Sequence, residues 1–265
     1  YEFYLTAGAT SNLDKNYLKG SNWLFVDQLK PNVYDDYWKA RDLSAHMNNV
    51  KCAVLTVGGW FDAEDLAGPF RTFHSIGTRN PGTVNQIALG PWVHGGWARS
   101  DGDHLGDVSF NSKTSEHFRK EIQFPFFEFH LKGKGKALAN ASVFETGTNV
   151  WRSYEQWPPV AAKPQTLYFH ADGKLSFTAP TADGVDDYVS DPAHPVPFTS
   201  YITDTVPQRY MIDDQRYAAQ RSDVLVFQTD PLEESLTIAG PISPKLFVAT
   251  SGTDSDYVVK LIDVY

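Results

Sequence analysis

Two glycine-flanked segments carry residue types suited to proton transfer. One reads GGWFDAEDLAG and holds Asp62; the other reads GPWVHGGW and holds His94. An imidazole titrates near neutral pH, so it can take a proton from a nucleophile and return it to a leaving group. A carboxylate beside it fixes the ring tautomer and stabilises the imidazolium that forms. Flanking glycines let backbone approach the reacting groups closely. The natural third member is a hydroxyl, a poor nucleophile until a base removes its proton. Each residue alone also has an ordinary reading. An Asp after a strand is most often a helix cap, and a lone loop His is usually surface decoration. The hydroxyl itself is missing. No Gly-x-Ser-x-Gly elbow occurs in the 265 residues, and Ser75, Ser100, Ser109 and Ser251 lack the strand–turn–helix context of a nucleophile.

The elements around the two loops are legible. Residues 51–57, KCAVLTV, form an apolar run bounded by Gly58 and Gly59, as in a parallel strand buried on both faces. Cys52 in this run is expected to be a buried, inert thiol. From Glu64 to Ile76, Leu66, Phe70, Phe73 and Ile76 recur at helical spacing. Asn80-Pro81-Gly82 is a turn, and VNQIALG at 84–90 is a second strand. A further helix is expected over Ser115–Leu131, with Phe118, Ile122, Phe126 and Phe129 on one face and a kink at Pro125. Strands alternating with helices predict the α/β class with a parallel sheet. Asp62 and His94 then sit after the carboxyl ends of consecutive strands, where such sheets place their chemistry. They lie 32 residues apart, room for one strand–helix–strand crossover. In α/β-hydrolases the chain order is Ser, then Asp or Glu, then His, and the pair fits the last two places.

The flanks differ in character. Residues 1–47 are rich in aromatics and polar residues, with helical patches such as YDDYWKARDL. They read as a lid or as a helical linker. After about residue 140 come short alternating runs: SVFETG, TLYFHA, VLVFQTD, LTIAG, KLFVATSG and YVVKLIDVY. Pro158-Pro159 and Pro164 mark a linker. This pattern predicts an antiparallel sandwich or jelly roll, interrupted at Tyr265. Both ends read as interior to a longer protein.

Composition narrows the partners. The net charge is −9, with 23 basic against 32 acidic residues, and no basic stripe is present to neutralise phosphates. Neither nucleic acid nor an anionic membrane is therefore expected. No apolar stretch reaches the roughly 18 residues of a membrane span. One cysteine cannot form an internal disulfide. Asp101-Gly102-Asp103, with Asp107 nearby, lacks the terminal Glu of a calcium loop and reads as a solvated turn. His104 and His117 show no metal-ligand spacing, and His74 reads as a packing residue beside Phe73. No metal or cofactor is expected. Trp60, Trp92 and Trp97 flank the site as pocket walls or as core, with core favoured for Trp60. Asp183, Asp186 and Asp187 read as a solvated loop.

Beyond these patterns, GGWFDAEDLAG, GPWVHGGWARSDGDHLGD and FETGTNVWRSYEQWPP resemble the α-amino-acid ester hydrolase and glutaryl aminocephalosporanate acylase family, in the superfamily of cocaine esterase and the X-Pro dipeptidyl-peptidases. The resemblance runs over nearly the whole chain. It implies the end of a helical cap at 1–47, the closing part of an α/β-hydrolase domain at 48–159 and the first part of a jelly roll at 160–265. It implies that Asp62 is the triad acid and His94 the triad base, the serine lying outside this sequence. It also implies that Glu64 and Asp65 help to hold a substrate α-ammonium. Their ordinary alternative is a place in the first turn of a helix, favoured by its dipole. The implied activity is acyl-serine hydrolysis of α-amino acyl esters or of amides such as β-lactam side chains. The rivals are an X-Pro dipeptidyl-peptidase and a non-catalytic binding module. The implied partner is a small ester, amide or short peptide, with homo-oligomerisation left open. A secreted or periplasmic location is the expectation.

Overall fold

The computed structural model describes residues 2–30 and 33–264. Four short helices come first: α1 (Glu2–Ala7), α2 (Ser11–Leu13), α3 (Trp23–Leu29) and α4 (Asp36–Lys39). Asn22 caps α3 by accepting from the Phe25 N–H, and Asp35 caps α4 by accepting from the Tyr37 N–H. Little apolar surface is buried in this region; Phe3, Tyr4, Leu5 and Trp23 stay exposed.

The central sheet follows. Strand β1 (Val54–Gly59) leads through helix α5 (Gly68–Arg79) to strand β2 (Asn85–Gly90), and the two strands pair in parallel from Val54 opposite Asn85 to Gly59 opposite Gly90. A long excursion comes next. It holds helix α6 (Gly96–Arg99), a ribbon of β3 (His104–Leu105) and β4 (Val108–Ser109), helix α7 (Thr114–His117) and helix α8 (Phe124–Lys132). Strand β5 (Ala141–Glu145) then adds parallel to β2, and β6 (Val150–Tyr154) pairs antiparallel with β5. The sheet order is β1-β2-β5-β6. Successive β2 side chains point to opposite faces. Ile87 and Leu89 pack with Phe70 and Phe73 of α5 on one face. Ala88 packs with Phe118 and Ile122 on the other. Both faces of the sheet are thus covered, as the α/β expectation requires.

Several local expectations are corrected. The helix expected from Glu64 begins at Gly68, so Leu66 lies outside it and is exposed. The Asp62 carboxylate accounts for the delay, because it draws the Glu64 and Asp65 N–H groups into a turn instead. Cys52 is exposed and precedes β1. Among the described residues β1 pairs on one side only, so its first four residues are half-buried rather than sealed. His74 is exposed on α5 rather than packed. The Pro125 irregularity takes the form of a π turn over Phe118–Gln123 between α7 and α8. Proline has no N–H for the α-helical ladder and crowds the preceding turn, which favours such a rearrangement.

The largest difference lies after residue 140. SVFETG belongs to the α/β sheet, as β5. Beyond β6 the described residues form one two-stranded ribbon, β7 (Tyr168–His170) with β8 (Lys174–Ser176), an isolated bridge from Lys174 to Gln228, 3-10 turns at Ala171–Gly173 and Gln208–Ile212 and a short helix α9 (Arg216–Ala219). LTIAG, KLFVATSG and the described part of YVVKLIDVY run without strand partners, and Tyr265 lies outside the described residues. The topology of the described residues therefore does not show the expected jelly roll. An alternating run becomes a strand only when another strand satisfies its N–H and C=O groups.

Candidate active site

Backbone hydrogen bonds tie the loops after β1 and β2 together. The Trp60 N–H donates to the Gly90 carbonyl at 2.9 Å and the Phe61 N–H to the Trp92 carbonyl at 3.1 Å. This approach needs glycine at two points. A Cβ on Gly59 would lie 2.2 Å from the Trp92 carbonyl oxygen, and one on Gly90 would lie 2.4 Å from the Trp92 indole. Trp92 itself is core: it is buried, it packs against Phe118, and its Nε1 donates to Thr114 Oγ1 at 2.9 Å. Trp60 packs on the opposite face and donates from Nε1 to the Phe144 carbonyl. Trp97 is partly buried against the Trp92 cluster.

The two loops bring Asp62 and His94 together. Asp62 is 2% exposed. Its Oδ2 lies 3.0 Å and its Oδ1 3.2 Å from His94 Nδ1. Oδ1 also accepts from the Glu64 and Asp65 N–H groups, both at 2.9 Å. A carboxylate only accepts, so the imidazole carries its proton on Nδ1 and presents Nε2 as the basic atom. The His94 side chain is 40% exposed, and Glu64 Oε2 lies 3.9 Å from Nε2.

Glu64 and Asp65 serve different ends. Glu64 faces the free nitrogen of the imidazole. Asp65 Oδ1 accepts from the Gly68 N–H at 3.0 Å, at the start of α5. Three of the four candidate serines are engaged elsewhere: Ser75 Oγ donates to the Ser44 carbonyl, Ser100 Oγ to the Gly96 carbonyl and Ser109 Oγ to Asn111 Oδ1. Around the Asp101 turn, Asp101 pairs with Lys113 and Asp103 with His104. Among the described residues no group of three or more His, Cys, Asp or Glu side chains is placed to hold a metal ion.

A cavity of about 420 Å³ adjoins the site, lined by Ala63, Glu64, Phe198, Val206, Gln208 and Tyr210. The last four come from an irregular segment more than a hundred residues beyond Asp62. No motif or period marks them, so sequence reasoning had no signal for them.

Comparison with known proteins identifies the family. Residues 5–96 match the family model of the X-Pro dipeptidyl-peptidases (S15 family), and residues 133–265 match that of the X-Pro dipeptidyl-peptidase C-terminal non-catalytic domain. The chain is 27% identical over 252 residues to the cocaine esterase of Rhodococcus sp. (strain MB1 Bresler), covering 87% of this chain and 41% of that protein. It is similar in structure to an aminopeptidase from a marine sediment Thaumarchaeota archaeon, with TM-score 0.80, 34% identity and coverage of 88% of this chain and 40% of the other. An α-amino acid ester hydrolase superposes with TM-score 0.78 and 31% identity, covering 89% of this chain and 41% of the other. These matches relate the chain to the S15 serine hydrolases. The chain belongs to the X-Pro dipeptidyl-peptidase (S15) family and carries that family's C-terminal non-catalytic domain. It spans about two fifths of the length of these relatives.

Proposed function

We propose that the full-length protein is a serine hydrolase of α-amino acyl esters or amides, with Asp62 and His94 as two members of its triad. The carrying observation is the 3.0 Å contact from Asp62 Oδ2 to His94 Nδ1, with Nε2 facing the space beside Glu64. In this mechanism His94 Nε2 takes the serine proton while the serine oxygen bonds to the substrate carbonyl carbon. The same proton passes to the leaving alcohol or amine as its bond to that carbon breaks. Water then attacks the acyl-serine, giving a proton to Nε2, and the acid leaves as the serine regains that proton. Asp62 holds the ring and stabilises the imidazolium throughout. Glu64 and Asp65 attract the substrate α-ammonium through opposite charge. Residues 1–47 would close over the site as the end of a cap, 48–159 would complete the hydrolase sheet, and 160–265 would contribute the first strands of a jelly roll.

A second reading, an X-Pro dipeptidyl-peptidase, is favoured by the family of the matching model. The same carboxylates would then hold a peptide N-terminus. An α-amino acyl ester and an Ala-Pro anilide, compared on the full-length protein, separate the two by their kcat/KM. The class itself is tested with a fluorophosphonate probe. Stoichiometric labelling of the full-length protein is expected, reduced at least about a thousandfold in rate by His94→Ala. The 265-residue chain alone is expected to stay unlabelled. A full-length protein that never labels would be a binding module instead.

A further inference from the structure

Thr114 and Ser115 open helix α7 and are both fully buried, although each carries a hydroxyl. A buried hydroxyl needs partners, and both find them in the stretch around and after His94. Thr114 Oγ1 accepts from Trp92 Nε1 at 2.9 Å and donates to the Gly102 carbonyl at 2.6 Å. Ser115 Oγ donates to the Gly96 carbonyl at 3.2 Å. Gly102 is the centre of the Asp101-Gly102-Asp103 turn and is itself buried, with φ +71°. A Cβ there would lie 2.2 Å from Ser115 Oγ and 2.5 Å from Thr114 Oγ1. The turn is therefore solvated only at its two aspartates; its middle is seated on the two hydroxyls.

Trp92 joins this cluster to the candidate active site. It stands two residues before His94. Its carbonyl accepts from the N–H of Phe61, the neighbour of Asp62, at 3.1 Å. Its main chain is thus tied to the loop of the acid, and its side chain to Thr114. Asp62 orients the His94 ring at Nδ1, but the reach of the ring depends on where the loop holds its Cα. A misplacement of about 1 Å at a reacting group can lower a rate about a hundredfold.

We propose that Thr114 is a positioning residue for the reaction: through the Trp92 indole it fixes the loop that carries His94, and so sets the reach of Nε2 toward the serine. The proposal rests on the reading of His94 as the triad base. Valine fills the same volume as threonine but leaves the Trp92 N–H and the Gly102 carbonyl without their partner. A buried donor left unpaired is costly, so the indole and its loop shift to relieve it.

Labelling of the full-length protein with a fluorophosphonate probe tests this. The serine oxygen bonds to phosphorus as fluoride leaves, and His94 Nε2 takes the serine proton. Rates at several probe concentrations separate the maximal labelling rate from the half-saturating concentration. Thr114→Val is expected to lower the maximal rate about 10- to 100-fold and to keep the half-saturating concentration within about twofold. Thr114→Ser retains the hydroxyl and should stay within about threefold of the wild type. In a His94→Ala background, Thr114→Val should lower the residual rate by less than about twofold, because no imidazole is left to position. Thr114→Ala removes the hydroxyl with less bulk and carries the test by itself if the valine variant does not fold. A wild-type rate without the Thr114 hydroxyl, beside a slow His94→Ala, would overturn the proposal alone. So would a serine variant as slow as the valine one, or an undiminished further loss in the His94→Ala background, the mark of a purely structural role. A His94→Ala variant that labels at the wild-type rate would sink the catalytic reading, and this proposal with it.

Discussion

Asp62 has two structural tasks in one carboxylate. It accepts two backbone N–H groups that shape the turn before α5, and it receives the His94 Nδ1–H. The first task needs only an acceptor; the second needs one that cannot donate. Asparagine supplies an oxygen for the turn, but its NH₂ group opposes the Nδ1–H and favours the wrong imidazole tautomer. Asp62→Asn in the full-length protein is therefore expected to leave the melting temperature nearly unchanged while lowering kcat by about 10⁴. Steady-state kinetics beside a thermal melt checks both halves. A parallel collapse of stability and rate would mean that the turn, not the tautomer, is what the carboxylate serves.

At the scale of the elements, close approach between the two strand-end loops fixes the site. Gly59 is the tightest point, with the Trp92 carbonyl where a Cβ would stand. Gly59→Ala must push these loops apart, and its expected cost is about 2–3 kcal/mol of stability by urea unfolding. A loss under about 0.5 kcal/mol would show that the loops adjust freely. The helical side of the sheet carries a titrating group of its own. His117 stacks on Trp151 with centroids 5.0 Å apart. Burial holds its imidazole below the ordinary value of 6.5, against an opposing pull from Glu121. The folded state thus resists a proton that the unfolded chain accepts. The stability tied to neutral His117 is complete above about pH 6.5 and drains away as pH falls toward the lower folded value. Urea midpoints measured between about pH 7 and pH 5 should fall less in His117→Gln than in the wild type. Identical slopes would remove His117 from the acid response.

For the whole molecule, the contrast is between a covered sheet and an uncovered tail. Leu236, Ile238, Ile242, Phe247, Val258 and Ile262 are exposed in the C-terminal runs. Large exposed apolar surface is an association surface, here opposed by a net charge of −9. The 265-residue chain alone is expected to self-associate, more strongly as salt screens that charge. Sedimentation velocity across a concentration series checks this, and a monomer at every concentration and salt would contradict it.

The sequence by itself determined the α/β class, a strand bounded by Gly58 and Gly59 and another ending at Gly90, and the places of Asp62 and His94 after them. These are local matters: β-branched runs, helical spacing and glycine boundaries act within a few residues. The motifs around these residues also carry the family resemblance. Only the tertiary structure decided that Asp62 turns the chain at Glu64 and Asp65, that Cys52 is exposed, and that SVFETG joins the central sheet. It alone placed Glu64 beside Nε2 and brought Phe198, Val206 and Tyr210 to the same cavity. Those outcomes depend on contacts between residues far apart in sequence, where no local period carries information. The alternating runs after residue 230 make the same point in reverse, because strand propensity without a partner to accept its hydrogen bonds builds no sheet.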